Sequence, residues 1–270
     1  MFWCFLNLLL SCLLSYICFF FGKKEMNRFS VVVPIHNEER FLPLSLPSIY
    51  RLFPSEVVLL FDRCTDNSVK VAREIASQFR MLSKTLFVDI NGECDFRLRF
   101  AYLRCRGVEL CSFDVVLISA SDLILDRKIR NYVDLVGEFG LITFEYKDFP
   151  VNWRMLIKRL LARVLPFDWV GGVRLFDRRF TQFEDLEELK SLSSEDTHLA
   201  EAIKGQTKTL YVLSDTVHLR PKESFKRHYR RGKLYAQYER SFLLTLASAV
   251  CMLRFGLLKG YIHERFRKHN

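Results

Sequence analysis

Three stretches of this chain set carboxylates, amides or hydroxyls directly after runs of strand-forming residues. The first is Ser30-Val31-Val32-Val33-Pro34-Ile35-His36-Asn37-Glu38-Glu39. The second is Val57-Val58-Leu59-Leu60-Phe61-Asp62-Arg63-Cys64-Thr65-Asp66-Asn67-Ser68. The third is Val115–Ser119 followed by Ala120, Ser121 and Asp122. In open α/β folds, ligands bind outside the carboxyl ends of the strands. A carboxylate there can accept hydrogen bonds from a nucleobase N–H or a ribose hydroxyl, and Glu38 and Asp62 are placed for that work. Asp66 has a competing use as a cap for a helix starting near Ser68. Asp122 could serve a hard cation or cap the turn before Arg127.

Two later segments add chemistry. Ser193-Ser194-Glu195-Asp196-Thr197-His198 sets two adjacent acids, either of which could serve as a general base. Acids also suit a helix N-terminus electrostatically. His218 then precedes a basic run from Arg220 to Gly232. Within it, Arg227, Arg230 and Arg231 have helical spacing and could present guanidinium groups to phosphate.

The elements that must position these residues follow from periodicity. Strands are predicted over Phe29–Ile35, Val57–Phe61, Thr85–Ile90, Val115–Ser119 and Gly140–Tyr146. Helices are predicted over Glu38–Leu52, Ser68–Phe79, Phe96–Cys111 and Arg127–Phe139. Such alternation predicts an α/β fold with a mainly parallel, doubly wound sheet.

The charge is unevenly distributed. The chain of 270 residues has a net charge of +10, and residues 220–270 hold 13 Lys and Arg against 3 Asp and Glu. The first 219 residues carry 28 charges of each sign. A local basic excess suits phosphate groups or an anionic membrane surface. No nucleic-acid partner is expected, because no helix-turn-helix, finger or RNA-binding strand signature accompanies it. The eight cysteines include no CxxC pair, which argues against a zinc site and for free thiols.

Residues 1–22 read as an uncleaved membrane anchor. Met1 to Phe21 holds no charge, and Lys23, Lys24 and Arg28 follow it. The positive-inside rule leaves the following domain on the cytoplasmic side of a single-pass anchor. Residues 23–28 form a linker, 29–240 the main domain and 241–270 an apolar, basic segment associated with the membrane. Within that segment, Ser241–Leu258 reads as an interfacial or packed helix, because Arg254 interrupts it. Residues 153–165 form a basic amphipathic helix suited either to the core or to a membrane surface.

The first edge resembles the opening motif of the family-two nucleotide-sugar glycosyltransferases, a hydrophobic strand followed by P-x-x-N-E. The second resembles that family's D-D-G-S-T-D-G-T stretch. Asp62, Thr65 and Asp66 match, Ser68 stands for Thr, and Phe61 replaces the first Asp. Gly171-Gly172 before Val173–Arg179 resembles the G-G segment that lines the sugar site, and Glu195-Asp196 resembles the E-D motif at a helix start.

The resemblance spans roughly residues 29–235. It implies a GT-A-type sandwich, a UDP- or GDP-linked sugar donor and an inverting transfer. The expected anchor and the basic amphipathic segments suggest a lipid acceptor, such as a polyprenyl phosphate, or a lipid-linked glycan. Pro34, His36, Asn37, Glu38, Asp62, Asp66, Ser121 and Asp122 would bind the nucleotide. Asp196, ahead of Glu195, would be the base. Gly171 and Gly172 would face the sugar or acceptor, and His218, Arg227, Arg230 and Arg231 the diphosphate. Asp122 and His218 would hold a divalent metal, Mg or Mn. Ser119 and Ser121 stand where the family's D-x-D motif has carboxylates, which weakens that metal site. The same replacements leave open a non-catalytic relative that binds nucleotide-sugar or scaffolds a membrane complex.

Overall fold

β1 (Phe29–Ile35) and β2 (Glu56–Phe61) are buried along their whole lengths. Continuous burial marks strands covered on both faces. Phe29, Val31, Val33 and Ile35 share one core layer with Leu42, Leu46 and Ile49 of α1 (Leu42–Tyr50) and Ala72 and Ile75 of α2 (Ser68–Gln78). Val32 joins the opposite layer with Leu103 and Val108 of α3 (Arg99–Leu110). There the helix comes so near that a Cβ on Gly107 would lie 2.3 Å from Val32 Cγ1. Glycine is required by that approach. The computed structural model describes residues 27–90, 99–148, 173–181, 205–220, 241–251 and 255–267, with positions 203, 229, 232, 233 and 236.

β3 (Lys84–Asp89) and β4 (Val115–Ile118) complete a parallel quartet in the order β3-β2-β1-β4. Strand order reverses between β1 and β4, which makes that crevice the switch point of the sheet. The β4 ladder ends opposite Val32. At Pro34, β1 is therefore paired only on its β2 side, where a residue lacking N–H is tolerated.

Beyond β4 the sheet is mixed, which corrects the expectation of a mainly parallel one. β7 (Val173–Asp177) runs antiparallel to β4 and to β6 (Leu141–Asp148). β8 (Thr209–His218) is parallel to β6, and β5 (Leu123–Ile124) is antiparallel to β8. The order is β3-β2-β1-β4-β7-β6-β8-β5. A strand's own residues announce burial, whereas its direction is set by the partners it meets.

A bulge in β8 sets the end of that strand. Glu145 pairs with Leu213 but Tyr146 pairs with Thr216. The extra residues are held by Ser214 Oγ, which donates to Glu145 O at 2.5 Å, and by Asp215 N, which donates to Asp126 Oδ2 at 3.0 Å. Asp126 also caps the segment predicted as a helix from Arg127, accepting from Lys128 N at 3.0 Å. That segment is a 3-10 helix, Arg127–Leu135.

Within the apolar stretch, residues 242–251 and 255–258 lie in two helices, α4 (Phe242–Cys251) and α5 (Phe255–Arg267), with the Phe242 and Tyr261 rings 6.0 Å apart. Among the described residues, no helix is long and apolar enough to cross a membrane. The anchor expected over residues 1–22 and the amphipathic segment 153–165 lie outside the described residues.

Candidate active site

The edges of β1 and β2 turn in the same way. Two residues past each strand the backbone enters the left-handed region, with φ 53° at Asn37 and 46° at Arg63. Asparagine tolerates that conformation and arginine adopts it rarely. The two loops are then laced together. Thr65 N donates to Asn37 Oδ1 at 2.8 Å, and Asn37 Nδ2 donates to Thr65 Oγ1 at 3.1 Å. Glu38 N donates to Ser68 Oγ at 2.7 Å. Asn67 N and Nδ2 donate to the Glu39 carboxylate at 2.9 and 3.1 Å. His36 Nδ1 lies 2.6 Å from Asp62 O.

Asp66 is engaged in this lacing. Its carboxylate accepts from Glu39 N at 3.1 Å, Ser68 N at 3.0 Å and Ser68 Oγ at 2.5 Å. Burial pushes its pKa up, but these hydrogen bonds outweigh that and hold it below the ordinary value. Asp62 is fully buried. Its two oxygens accept a fork from Arg63, Nε at 2.8 Å and Nη2 at 3.0 Å. A nucleobase reaching Asp62 would have to share it with Arg63, a contact that the sequence reading did not foresee.

The second cluster gathers charge across the switch point. The ladder between β5 and β8 sets His218 opposite Leu123, and Leu219 N donates to Asp122 O at 2.9 Å. His218 Nε2 therefore comes 3.2 Å from Asp122 Oδ2, with the Tyr146 ring 5.1 Å from the imidazole. Two residues on, Arg220 bridges both sides of the crevice. Its Nε lies 2.5 Å from Asp122 Oδ2, and its Nη2 donates to Glu38 Oε1. Its Cζ lies 5.7 Å from the centre of the Phe41 ring.

Glu38 and Asp122 are 4% and 6% exposed, whereas the Arg220 side chain is 42% exposed. Glu38 Oε2 is buried without a hydrogen-bond partner in the structure. Such an atom is costly unless a ligand satisfies it. Ser119 and Ser121 are buried beside the cluster, and the Ser119 hydroxyl donates to Ala120 O at 3.3 Å.

The structure thus brings together Glu38, Asp122 and His218 and adds Arg220. Pro34, His36, Asn37, Asp62 and Asp66 form the adjoining laced edge. Gly171, Gly172, Glu195, Asp196, Arg227, Arg230 and Arg231 lie outside the described residues. Arg220 was visible in sequence as the first residue of a basic run, with no local sign that it differs from the rest.

Solved glycosyltransferases share this fold. A mannosyltransferase from Pyrobaculum calidifontis, in complex with GDP-Man and Mn2+, aligns with a TM-score of 0.61 at 17% identity, over 87% of this chain and 70% of that one. Glucosyl-3-phosphoglycerate synthase from Mycobacterium tuberculosis, in complex with Mn2+, UDP and phosphoglyceric acid, aligns at 0.53 and 18% identity, over 78% and 77%.

The fold is GT-A.

A fragment of S. aureus TarS has it too, at a TM-score of 0.52 and 17% identity over 78% of this chain. This chain spans 64% of the length of that fragment. No protein-family model and no curated protein matches the sequence.

The GT-A structures solved with Mn2+ raise the question of whether these residues fit a metal. A hard divalent cation takes several oxygen ligands. Among the described residues, no group of three or more His, Cys, Asp and Glu side chains could hold one. Asp122 Oδ2 is already shared by His218 and Arg220, and Ser119 and Ser121 offer only neutral hydroxyls. These side chains do not fit a divalent ion.

Proposed function

We propose that this protein is a glycosyltransferase that moves a sugar from a UDP- or GDP-linked donor to an acceptor, with inversion at the anomeric carbon. The observation that carries the reading is the convergence of Glu38, Arg220, Asp122 and His218 at the switch point of a GT-A sheet. The orphaned Glu38 Oε2 would accept a hydroxyl or N–H of the nucleotide, and the cationic side would face the diphosphate. Asp196 would take the proton of the acceptor hydroxyl. That oxygen would attack the anomeric carbon, the carbon–oxygen bond to the diphosphate would break, and the nucleoside diphosphate would leave.

The acceptor in this reading is lipid-linked and the enzyme works at the cytoplasmic face of a membrane, held by residues 1–22. Support comes from the charge-free N-terminus and from the C-terminal helices. There Leu243 and Phe266 are 73% and 69% exposed, beside exposed Lys259, Arg265 and Arg267. Sedimentation with anionic vesicles tests this part, and a protein lacking residues 1–22 that turns over a soluble glycan equally well without lipid would refute it.

The test of the chemistry is a screen of UDP- and GDP-sugars for binding and transfer. Asp196→Asn is expected to cut transfer by about 10²–10⁴-fold while sparing sugar-nucleotide binding. Unchanged turnover would remove Asp196 from the mechanism. Tight nucleotide binding with no transfer by the native protein would instead favour the non-catalytic reading, which the Ser119 and Ser121 replacements and the capture of Asp62 by Arg63 support.

A further inference from the structure

We infer that Arg220 takes the place of a divalent cation, so that this site binds the diphosphate of its nucleotide without metal. The inference rests on the nucleotide-sugar reading above and adds what holds the phosphates.

Three observations carry it. The first is position. Arg220 stands between Glu38 at the β1 edge and Asp122 past the β4 edge and contacts both carboxylates. Both carboxylates at the crevice are already turned toward a guanidinium. A divalent ion entering there would have to displace Arg220 or accept its charge as a neighbour.

The second is access. The two acids are nine-tenths buried, while the arginine side chain between them is 42% exposed. The acids thus hold the guanidinium in place while part of the side chain stays open to solvent. A planar guanidinium matches phosphate oxygens in a way that a single ammonium does not. The Phe41 ring restricts it further.

The third is the loss of alternatives. The positions expected to carry carboxylates are Ser119 and Ser121, both buried, and Ser119 spends its hydroxyl hydrogen on Ala120 O. A serine brings no negative charge with which to balance a divalent ion. It is compatible with a site whose cation is covalently part of the chain. The basic residues that follow, Lys222, Lys226, Arg227, Arg230 and Arg231, supply further positive charge in sequence.

The test is calorimetric titration of the full chain with UDP and with GDP, first in EDTA and then with Mn2+ or Mg2+. Wild-type protein is expected to bind one of the two in EDTA, with an affinity that metal changes by less than about threefold. Arg220→Met should weaken that binding by at least about tenfold, and Arg220→Lys by an intermediate factor. Binding that requires Mn2+ or Mg2+ would overturn the inference and leave the glycosyltransferase reading standing. No binding of either nucleotide under any metal condition would overturn both. Equal affinity in folded Arg220→Met would also overturn the inference. If Arg220→Met fails to fold, as a melting curve would reveal, the EDTA comparison on wild type and the Arg220→Lys titration decide the matter alone.

Discussion

The two edges that meet at the crevice are built from different interactions. The β1 and β2 loops are joined by side chains bonded to backbone amides and to one another, between residues 28 apart in sequence, such as Asn37 and Thr65. The Asp122 side is held by a hydrogen-bond contact between His218 and Asp122, 96 residues apart, and by the ion pair of Arg220 with Glu38, 182 apart. The first edge closes a short loop and depends on little besides β1 and β2. The second exists only after β8 has taken its register against β5 and β6. A cradle closed by local hydrogen bonds, with the Glu39 and Asp66 carboxylates among its acceptors, thus faces an ion pair that depends on distant segments. That division suits a ligand with a base and ribose at one end and a diphosphate at the other.

This contrast can be broken or sharpened by substitution. The largest expected effect lies at the far end of the parallel quartet, where buried Glu56 accepts from Ser30 Oγ at 2.8 Å, Ser112 N at 2.7 Å and Ser112 Oγ at 2.8 Å. Glu56→Ala strands those donors and is expected to cost roughly 3 kcal/mol. Denaturant unfolding would measure it, and a cost below about 1 kcal/mol would show that the quartet does not depend on this carboxylate.

Next comes Ser68→Ala, which deprives Glu38 N and the Asp66 carboxylate of a partner. An expected loss of about 1–2 kcal/mol should come with weaker nucleotide binding, because the loop carrying Glu38 loosens. If affinity for UDP or GDP stays the same, the lacing is structural only. Asp126→Ala, which releases both Lys128 N and the β8 bulge, is expected to cost about 1 kcal/mol. Its effect on diphosphate binding should exceed its effect on stability, since the bulge sets the path to His218 and Arg220. Comparing melting temperature with affinity separates the two.

The smallest effect is one of pH. Burial raises the Glu56 pKa, but hydrogen bonds from Ser112 and Ser30, with the Lys84 charge, more than offset it and leave it below its ordinary value. Asp66 is also lowered. A carboxyl whose folded pKa is depressed contributes stability that is full above its unfolded pKa and is lost as pH falls through its folded one. The melting temperature should therefore fall as pH drops below about 4, and Glu56→Gln should flatten part of that slope. A wild-type curve that stays flat down to about pH 2 would contradict this. Buried Cys111, whose thiol is pushed up to about 12 mainly by burial, takes no part in that range.

Much of the parallel half was readable in the sequence. The runs Val31–Val33 and Val57–Leu60 are apolar without alternation, as strands covered on both faces must be, and Ser68–Gln78 follows with apolar residues at helical spacing. The polar residues after each run located the crevice. Glu38 and Asp122 could be singled out because a carboxylate after a buried strand has few structural uses. Asp66, expected as a possible cap, accepts from Ser68 N at the start of α2, although the N-cap residue itself is Asn67. The direction of β6 and β7, the β8 bulge and the 3-10 geometry of Arg127–Leu135 were not readable, because periodicity reports which face of an element is buried and not what it pairs with.

Sequence by itself therefore determined the residue chemistry available at the sheet edges: acids at Glu38, Asp62 and Asp122, and serines at Ser119 and Ser121. Tertiary structure alone decided how those groups are spent. Asp62 is taken by Arg63 once the backbone turns left-handed, and Glu38 and Asp122 are joined by Arg220, an arginine just past the end of β8. The reason is physical. Burial and turn preferences act over a few neighbouring residues, whereas strand register and ion pairing depend on which distant segments the closed sheet brings within a few ångströms.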